Sequence, residues 1–140
     1  MAVVLVINDD RDLLDAYQDV IRHLGHEPVT KFAARSGPDT VRETRAQALV
    51  VDLERPDEKD FGLRVVEQVR ADPELQALPI IVCTGAAEPR LRPVRRRLTE
   101  LGVPVLPKPF TLQEFEAALE NMLVGAPPTP GGAGGVTGTS

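Results

Sequence analysis

The stretch Ala48-Leu49-Val50-Val51-Asp52 constrains this chain more than any other, because an apolar run of strand length ends on a carboxylate and Pro56 breaks the backbone soon after. A continuous apolar run bounded in this way reads as a strand covered on both faces, the situation of strands in parallel sheets. Open α/β sheets bind ligands outside the carboxyl ends of their strands. A buried strand that delivers one charged side chain to that end therefore makes Asp52 the first candidate functional residue.

The same pattern recurs along the chain. Ala2 to Ile7 is apolar and stops at Asn8-Asp9-Asp10, Leu78 to Cys83 stops at Thr84-Gly85, and Val103 to Leu106 closes on Pro107-Lys108-Pro109. Glu27 to Phe32 alternates weakly and carries Pro28 and Lys31, which suits the border of a sheet. The intervening segments have helical spacing. Leu13, Leu14, Tyr17, Val20, Ile21 and Leu24 form a first stripe that Gly25 ends, and Gly37 to Arg45 forms a short polar helix anchored by Val41. Leu63, Val65, Val66 and Val69 mark a third helix running towards Pro73. A fourth is expected to begin near Pro93, to bury Val94, Leu98 and Leu101, and to turn Arg95, Arg96 and Arg97 outward. Thr111 and Glu114 have the spacing of a capping box, opening a fifth helix that buries Phe115, Leu119, Met122 and Leu123. Alternating strands and helices predict an α/β fold: a doubly wound, five-stranded parallel sheet in the order 2-1-3-4-5, with five helices and a switch point between strands 1 and 3.

Composition limits the function classes. With 140 residues, 42% of them hydrophobic, the chain can build one domain with a real core. A net charge of -5 argues against a general affinity for nucleic-acid phosphates. The single cysteine, Cys83, cannot form an internal disulfide and reads as a small core residue in a reducing compartment. No apolar run approaches the roughly 20 residues of a membrane helix, and no signal peptide is recognisable, so the cytoplasm is expected. Gly125 to Ser140, made of Gly, Pro, Thr, Ala and Ser with a single Val, is expected to be an unstructured tail or linker.

The strand ends bring Asn8, Asp9, Asp52, Thr84 and Lys108 to one crevice. Singly, each is a residue that strand ends, turns and caps commonly carry; together they describe a site. Two carboxylates held close repel unless a cation or proton lies between them. Asp9 and Asp52 supply the minimal set for Mg²⁺, with a backbone carbonyl from the loop after strand 3 as a further oxygen. Lys108 would pair with Asp52 or with an incoming anion, and Thr84 offers a hydroxyl donor. The combination suits phosphoryl transfer to a carboxylate nucleophile. His23 and His26 have no metal-ligand partner at useful spacing and read as surface at the end of helix 1.

Val4-Leu5-Val6-Ile7-Asn8-Asp9-Asp10, Val50-Val51-Asp52 with Pro56 beyond it, Ile81-Val82-Cys83-Thr84-Gly85 and Val105-Leu106-Pro107-Lys108-Pro109-Phe110 follow one another as in a known family. Over residues 2 to 124 the chain resembles the receiver domain of two-component response regulators, of the chemotaxis-regulator kind. The resemblance implies a flavodoxin-like fold and a receiver domain over residues 1–124, with 125–140 outside it. It implies that Asp52 accepts a phosphoryl group from a sensor histidine kinase and that Asp9, Asp52 and the backbone carbonyl of Glu54 bind Mg²⁺. Thr84 would sense the phosphoryl group and Lys108 would hold it. The only catalysis implied is the domain's own phosphorylation and dephosphorylation, so the protein would not be an enzyme in the ordinary sense.

The chain departs from that pattern at three positions. Asn8 stands where the family usually has an acid, predicting weaker Mg²⁺ binding. Glu54 puts a carboxylate beside the site, and Val105 replaces the aromatic ring that usually couples to the Thr. The loop from Pro56 to Gly62 is about two residues longer than usual and acidic. These departures keep open a pseudo-receiver that docks without phosphorylation. A metal-dependent phosphatase with Glu54 as general acid is the third reading. Arg90, Arg92, Arg95, Arg96 and Arg97 make helix 4 basic, which fits either a solvated face or docking of an acidic effector or second receiver on helix 4, strand 5 and helix 5.

Overall fold

A computed structural model describes residues 2–8, 10–31, 37–86 and 88–124. Asp9, Phe32 and the expected tail from Gly125 to Ser140 lie outside the described residues. The elements run β1 (Val3–Ile7), α1 (Arg11–His23), β2 (Glu27–Lys31), α2 (Pro38–Thr44), β3 (Ala48–Asp52), α3 (Phe61–Ala71), β4 (Ile80–Thr84), α4 (Glu88–Glu100), β5 (Val105–Pro107) and α5 (Leu112–Val124). The strands form one parallel sheet in the order β2-β1-β3-β4-β5, as the strand–helix alternation and the border character of β2 predict.

Side chains alternate across each strand, so every central strand feeds two cores. Leu5, Ile7, Leu49, Val51, Ile80 and Val82 pack with Val41, Val65, Val69, Leu91 and Leu98 of α2, α3 and α4. Val4, Val6, Ala48, Val50, Ile81 and Cys83 pack with Tyr17, Ile21, Phe115 and Leu119 of α1 and α5. Every residue of β3 and of β4 is buried. Removing a Val or Leu side chain from water in this way contributes roughly 1.5–3 kcal/mol each, so the central strands are the firm base beneath their own carboxyl ends. Cys83 is buried in the second core, as a small apolar residue would be.

The caps explain where the helices start and stop. Asp10 accepts a hydrogen bond from the Leu13 N–H at the start of α1, and Gly25, at φ 87°, turns the chain after it. Thr111 and Glu114 form the expected capping box: the Thr111 N–H donates to Glu114 Oε1 at 2.7 Å, and the Glu114 N–H donates to Thr111 Oγ1 at 3.0 Å. His26 Nδ1 accepts from the Ala2 N–H at 2.9 Å, so that histidine ties the chain start to the α1–β2 turn.

Two boundaries differ from expectation. α4 begins at Glu88, five residues before Pro93, which lies inside the helix and is exposed. Its ring is accommodated on the solvent side, and the anchor hidden by the early proline is Leu91, which with Val94 and Leu98 forms the buried stripe; Leu101 is only partly buried. β5 starts at Val105 rather than Val103, because the α4–β5 turn closes with the Val103 N–H donating to Leu98 O at 2.9 Å. Val103 is buried but contributes to the turn, not the sheet.

Candidate functional site

Asp52 is the last residue of β3 and shares the sheet face of Ala48 and Val50, above Tyr17 and Cys83. Its side chain is 11% exposed. Lys108, just beyond β5, donates from Nζ to Asp52 Oδ2 at 2.6 Å. The other oxygen, Oδ1, is buried without a hydrogen-bond partner among the described residues. Burial pushes the Asp52 carboxyl above its ordinary range, and the hydrogen bond and charge of Lys108 offset this only in part; Asn8 also favours the charged form, whereas Glu54 disfavours it.

Asn8 sits one residue past β1, alongside Asp52, and is buried. Its Oδ1 accepts the Asp10 N–H at 2.8 Å in an Asx turn that leads into α1. Asn8 is near enough to Asp52 to act on its charge, yet its Nδ2 closes no hydrogen bond of ordinary geometry. The amide oxygen of Asn8 is thus engaged in a backbone turn.

Thr84 is where the arrangement departs most from a simple crevice. It ends β4 on the opposite face from Asp52, with Ile80 and Val82, and is 1% exposed. Its hydroxyl donates to Glu54 Oε2 at 2.5 Å and accepts the Ala86 N–H at 3.0 Å. No bond joins Thr84 to Asp52. Glu54 Oε2 also faces Arg90 Nη1 at 3.5 Å, while Arg90 Nη2 reaches Lys59 O at 3.3 Å and Asp60 Oδ1 at 3.2 Å. Sequence reasoning grouped Arg90 with the outer arginines; the structure turns it towards the β3–α3 loop, and turns Arg97 to Glu67 of α3 and to Glu100. The expected α4 start near Pro93 hid this, since it left Arg90 without a place in the helical register.

The β3–α3 loop has its own structure. Arg55 and Glu58 pair as an isolated antiparallel bridge, each N–H donating to the other's carbonyl at 2.9 and 3.1 Å, so Pro56 and Asp57 form the tip of a tight turn. Arg64 grips Glu58 with bonds of 2.6 and 2.9 Å, and the guanidinium groups of Arg55 and Arg64 lie 5.0 and 5.4 Å from the Phe61 ring centroid. The loop is a braced hairpin.

Beneath the carboxylate, Tyr17 stacks with Phe110 and packs against Phe115 at centroid distances of 6.2 and 4.8 Å. Burial raises both the Tyr17 hydroxyl and the Cys83 thiol, the latter to about 12. Cys83 therefore offers no thiolate chemistry at neutral pH.

Among the described residues no three His, Cys, Asp or Glu side chains cluster as metal ligands. The unpaired Asp52 Oδ1 is nevertheless the kind of oxygen a hard cation takes. The Glu54 side chain is committed to Thr84 and Arg90, which leaves its backbone carbonyl as the atom it can offer. This donor chemistry fits Mg²⁺, with Asp9 outside the described residues.

The fold has close relatives among solved structures. The chemotaxis response regulator CheY4 of Vibrio cholerae superposes with a TM-score of 0.73 at 21% identity, covering 87% of this chain and 98% of that one. The non-phosphorylated HemR receiver domain of Leptospira biflexa gives 0.72 at 22% identity, covering 91% and 98%. The fold is that of a response regulator receiver domain. Curated sequences agree with this receiver fold: the polar-differentiation response regulator DivK of Brucella anthropi is 23% identical over 121 residues, 86% of this chain and 94% of DivK. The protein-glutamate methylesterase/protein-glutamine glutaminase 1 of Anaeromyxobacter dehalogenans is 30% identical over 107 residues, 76% of this chain but 29% of that protein. The chain thus spans less than a third of that relative. No protein-family model matches the chain. No helix among the described residues is long and apolar enough to cross a membrane.

Proposed function

We propose that the chain is a phosphorylatable receiver module, with its receiver unit over residues 1–124, that takes a phosphoryl group on Asp52 from a sensor histidine kinase in the cytoplasm. The observation that carries this reading is the Asp52 carboxylate: buried at the end of a central strand, with one oxygen on Lys108 and the other without a partner. A buried carboxylate is costly, and here Lys108, with a smaller contribution from Asn8, offsets part of the cost of its charged form.

In this reading a carboxylate oxygen of Asp52 attacks the phosphorus of a phosphohistidine; the new O–P bond forms as the P–N bond breaks, and the imidazole leaves with the electron pair. Lys108 stays within reach of the phosphoryl oxygens and offsets their charge. Mg²⁺, held by Asp9, Asp52 and the Glu54 carbonyl, would add positive charge where the phosphoryl group carries its negative charge. The bury-and-pair arrangement of Asp52 and Lys108 orients the nucleophile and excludes bulk water from it. Partners would dock on the face of α4, β5 and α5, where Arg92 and Arg96 are exposed; acidic surfaces suit that face.

A second reading rests on Thr84. Its hydroxyl already bonds to a carboxylate, which favours a pseudo-receiver held in one docking state without phosphorylation. Incubation with Mg²⁺ and acetyl phosphate, followed by intact mass, separates the two. A labile adduct of one phosphoryl group on the natural chain and none on Asp52→Asn is expected. Absence of any adduct across a Mg²⁺ titration would leave the pseudo-receiver, and sustained turnover of the donor would instead mark a phosphatase.

A further inference from the structure

We propose that Glu54 is a resident anion on the Thr84 hydroxyl, which a phosphoryl group on Asp52 must displace, and that Arg90 carries the exchange to α4. The inference rests on the phosphorylation reading above and extends it to output, for which the chain has Val105 in place of a ring.

Thr84 has one hydroxyl proton to give, and it gives it to Glu54 Oε2 at 2.5 Å. On the acceptor side the same oxygen takes the Ala86 N–H at 3.0 Å. A hydroxyl so engaged, 1% exposed, cannot donate to a second anion without releasing the first. When Thr84 turns to a phosphoryl oxygen, Glu54 Oε2 loses its shortest contact. Arg90 Nη1, now 3.5 Å away, is the cation that the described residues place there. A carboxylate stripped of one donor in a partly buried site strengthens its pairing with the next.

Which side of that contact gives way follows from the two segments it joins. The β3–α3 loop is braced by the Arg55–Glu58 bridge and by the double bond pattern of Arg64 on Glu58. The first turns of α4 are less constrained. Pro93 has no N–H, so the Pro89 carbonyl lacks the ladder donor it would otherwise receive from that position. Arg90 holds this end of α4 to the loop through Lys59 O and Asp60. Drawing its guanidinium towards Glu54 loosens those two contacts and shifts the start of α4, next to the exposed Arg92 and Arg96. Charge exchange at Glu54 thereby links Asp52 to the start of α4.

The test is a cycle of Glu54→Ala and Thr84→Val, singly and together, in the full chain, with two readouts. Without phosphoryl donor, hydrogen exchange of the Arg90 and Leu91 amides is expected to rise about fivefold in each single variant, the scale of one lost hydrogen bond, and no further in the double variant. With acetyl phosphate and Mg²⁺, Glu54→Ala is expected to form the Asp52 adduct about fivefold faster than the natural chain. In a Thr84→Val background the same change should have no effect, because the competition has no object. Adducts on every variant with independent, additive effects would overturn the inference while leaving Asp52 as phosphoacceptor. Absence of adducts from all variants overturns the proposed function and this inference with it. A Glu54→Ala gain that persists in the Thr84→Val background also sinks it, since that would be simple repulsion between Glu54 and the phosphoryl charge.

Discussion

Gly62 lies directly on the backbone of Asp52: a methyl group on Gly62 would stand 2.6 Å from the Asp52 carbonyl oxygen and 2.8 Å from the Leu53 Cα. The Gly62 N–H donates to the Leu53 carbonyl at 2.8 Å, so α3 is seated on the end of β3 by its second residue. Gly62→Ala sets two effects against each other. Alanine gains about 1 kcal/mol of helix propensity, but forcing a methyl group against backbone costs about 1–3 kcal/mol, and neither neighbour is a side chain that can swing away. The clash is expected to win, lowering Tm by several degrees and displacing the Asp52 carbonyl. Thermal unfolding by circular dichroism checks this; an unchanged or raised Tm would show that α3 moves freely away from the site.

Asp52 should destabilise the fold that carries it. Its carboxyl is raised by burial, so the folded chain binds that proton more tightly than the unfolded chain does. Stability from this group is then highest at acid pH and falls as pH rises from the ordinary carboxyl range, about 4, through the raised value. Above that window a neutral isostere is expected to be the more stable. Asp52→Asn should raise Tm by about 2–5 °C at neutral pH in metal-free buffer, with the gain fading as pH falls through the raised value and gone below pH ~4. Lys108, whose side chain is 31% exposed, can return to solvent when its partner is neutralised. A Tm that falls in the Asn variant would mean that the Lys108 pair outweighs the burial.

Strand order, the helix count and the Asp52–Lys108 pairing were legible because each rests on patterns that act locally or on strand-end topology. Continuous apolar runs mark strands covered on both faces, and Pro28 with Lys31 places β2 at the border. What stayed hidden depends on three-dimensional choice among equals. Several acceptors could have taken the Thr84 proton, and nothing in the spacing selects Glu54. Pro93 concealed the first turn of α4 because proline is usually tolerated at the start of a helix, not five residues in; Pro89, at the second helical position, was the available signal. Gly62 read as an ordinary loop residue, since close backbone approach leaves no mark beyond the glycine itself.

The Glu58–Arg64 clamp makes the braced loop pH-dependent. The hydrogen bonds from Arg64 hold the Glu58 carboxyl below its ordinary value of 4.5, so the folded chain binds the proton less tightly than the unfolded chain. The contribution is present above pH 4.5 and is lost as pH falls through the lowered value. Both groups are near the surface, so the effect belongs to the loop and not to global unfolding. Carboxyl titration by NMR is expected to place Glu58 below its ordinary value, and Arg64→Ala to return it to the ordinary range. In parallel, amide exchange at Arg55 and Glu58 should quicken at low pH beyond what their intrinsic rates require. Equal titration of Glu58 in both proteins would show the clamp to be unpopulated in solution.

The capping box of α5 reaches the site through the ring cluster. Thr111 and Glu114 satisfy each other's backbone N–H groups, fixing the first turn of α5, from which Phe115 points into Tyr17 and Phe110. Phe110 is two residues from Lys108, and Tyr17 lies beneath Asp52. Loss of the cap by Thr111→Ala is expected to cost about 1 kcal/mol, measurable as a lower denaturant midpoint at unchanged slope. Phe115→Ala, by contrast, removes a fully buried ring and should cost about 3–5 kcal/mol. If the cap acted only on helix stability, Thr111→Ala would leave the Lys108 ammonium unaffected. The shared cluster predicts instead that Lys108 becomes more mobile on its bond to Asp52, visible as faster exchange of its ammonium protons at low temperature. Thr111→Ser, which keeps the hydroxyl, should restore both the midpoint and the lysine signal; failure of the serine to restore them would detach the cap from the site.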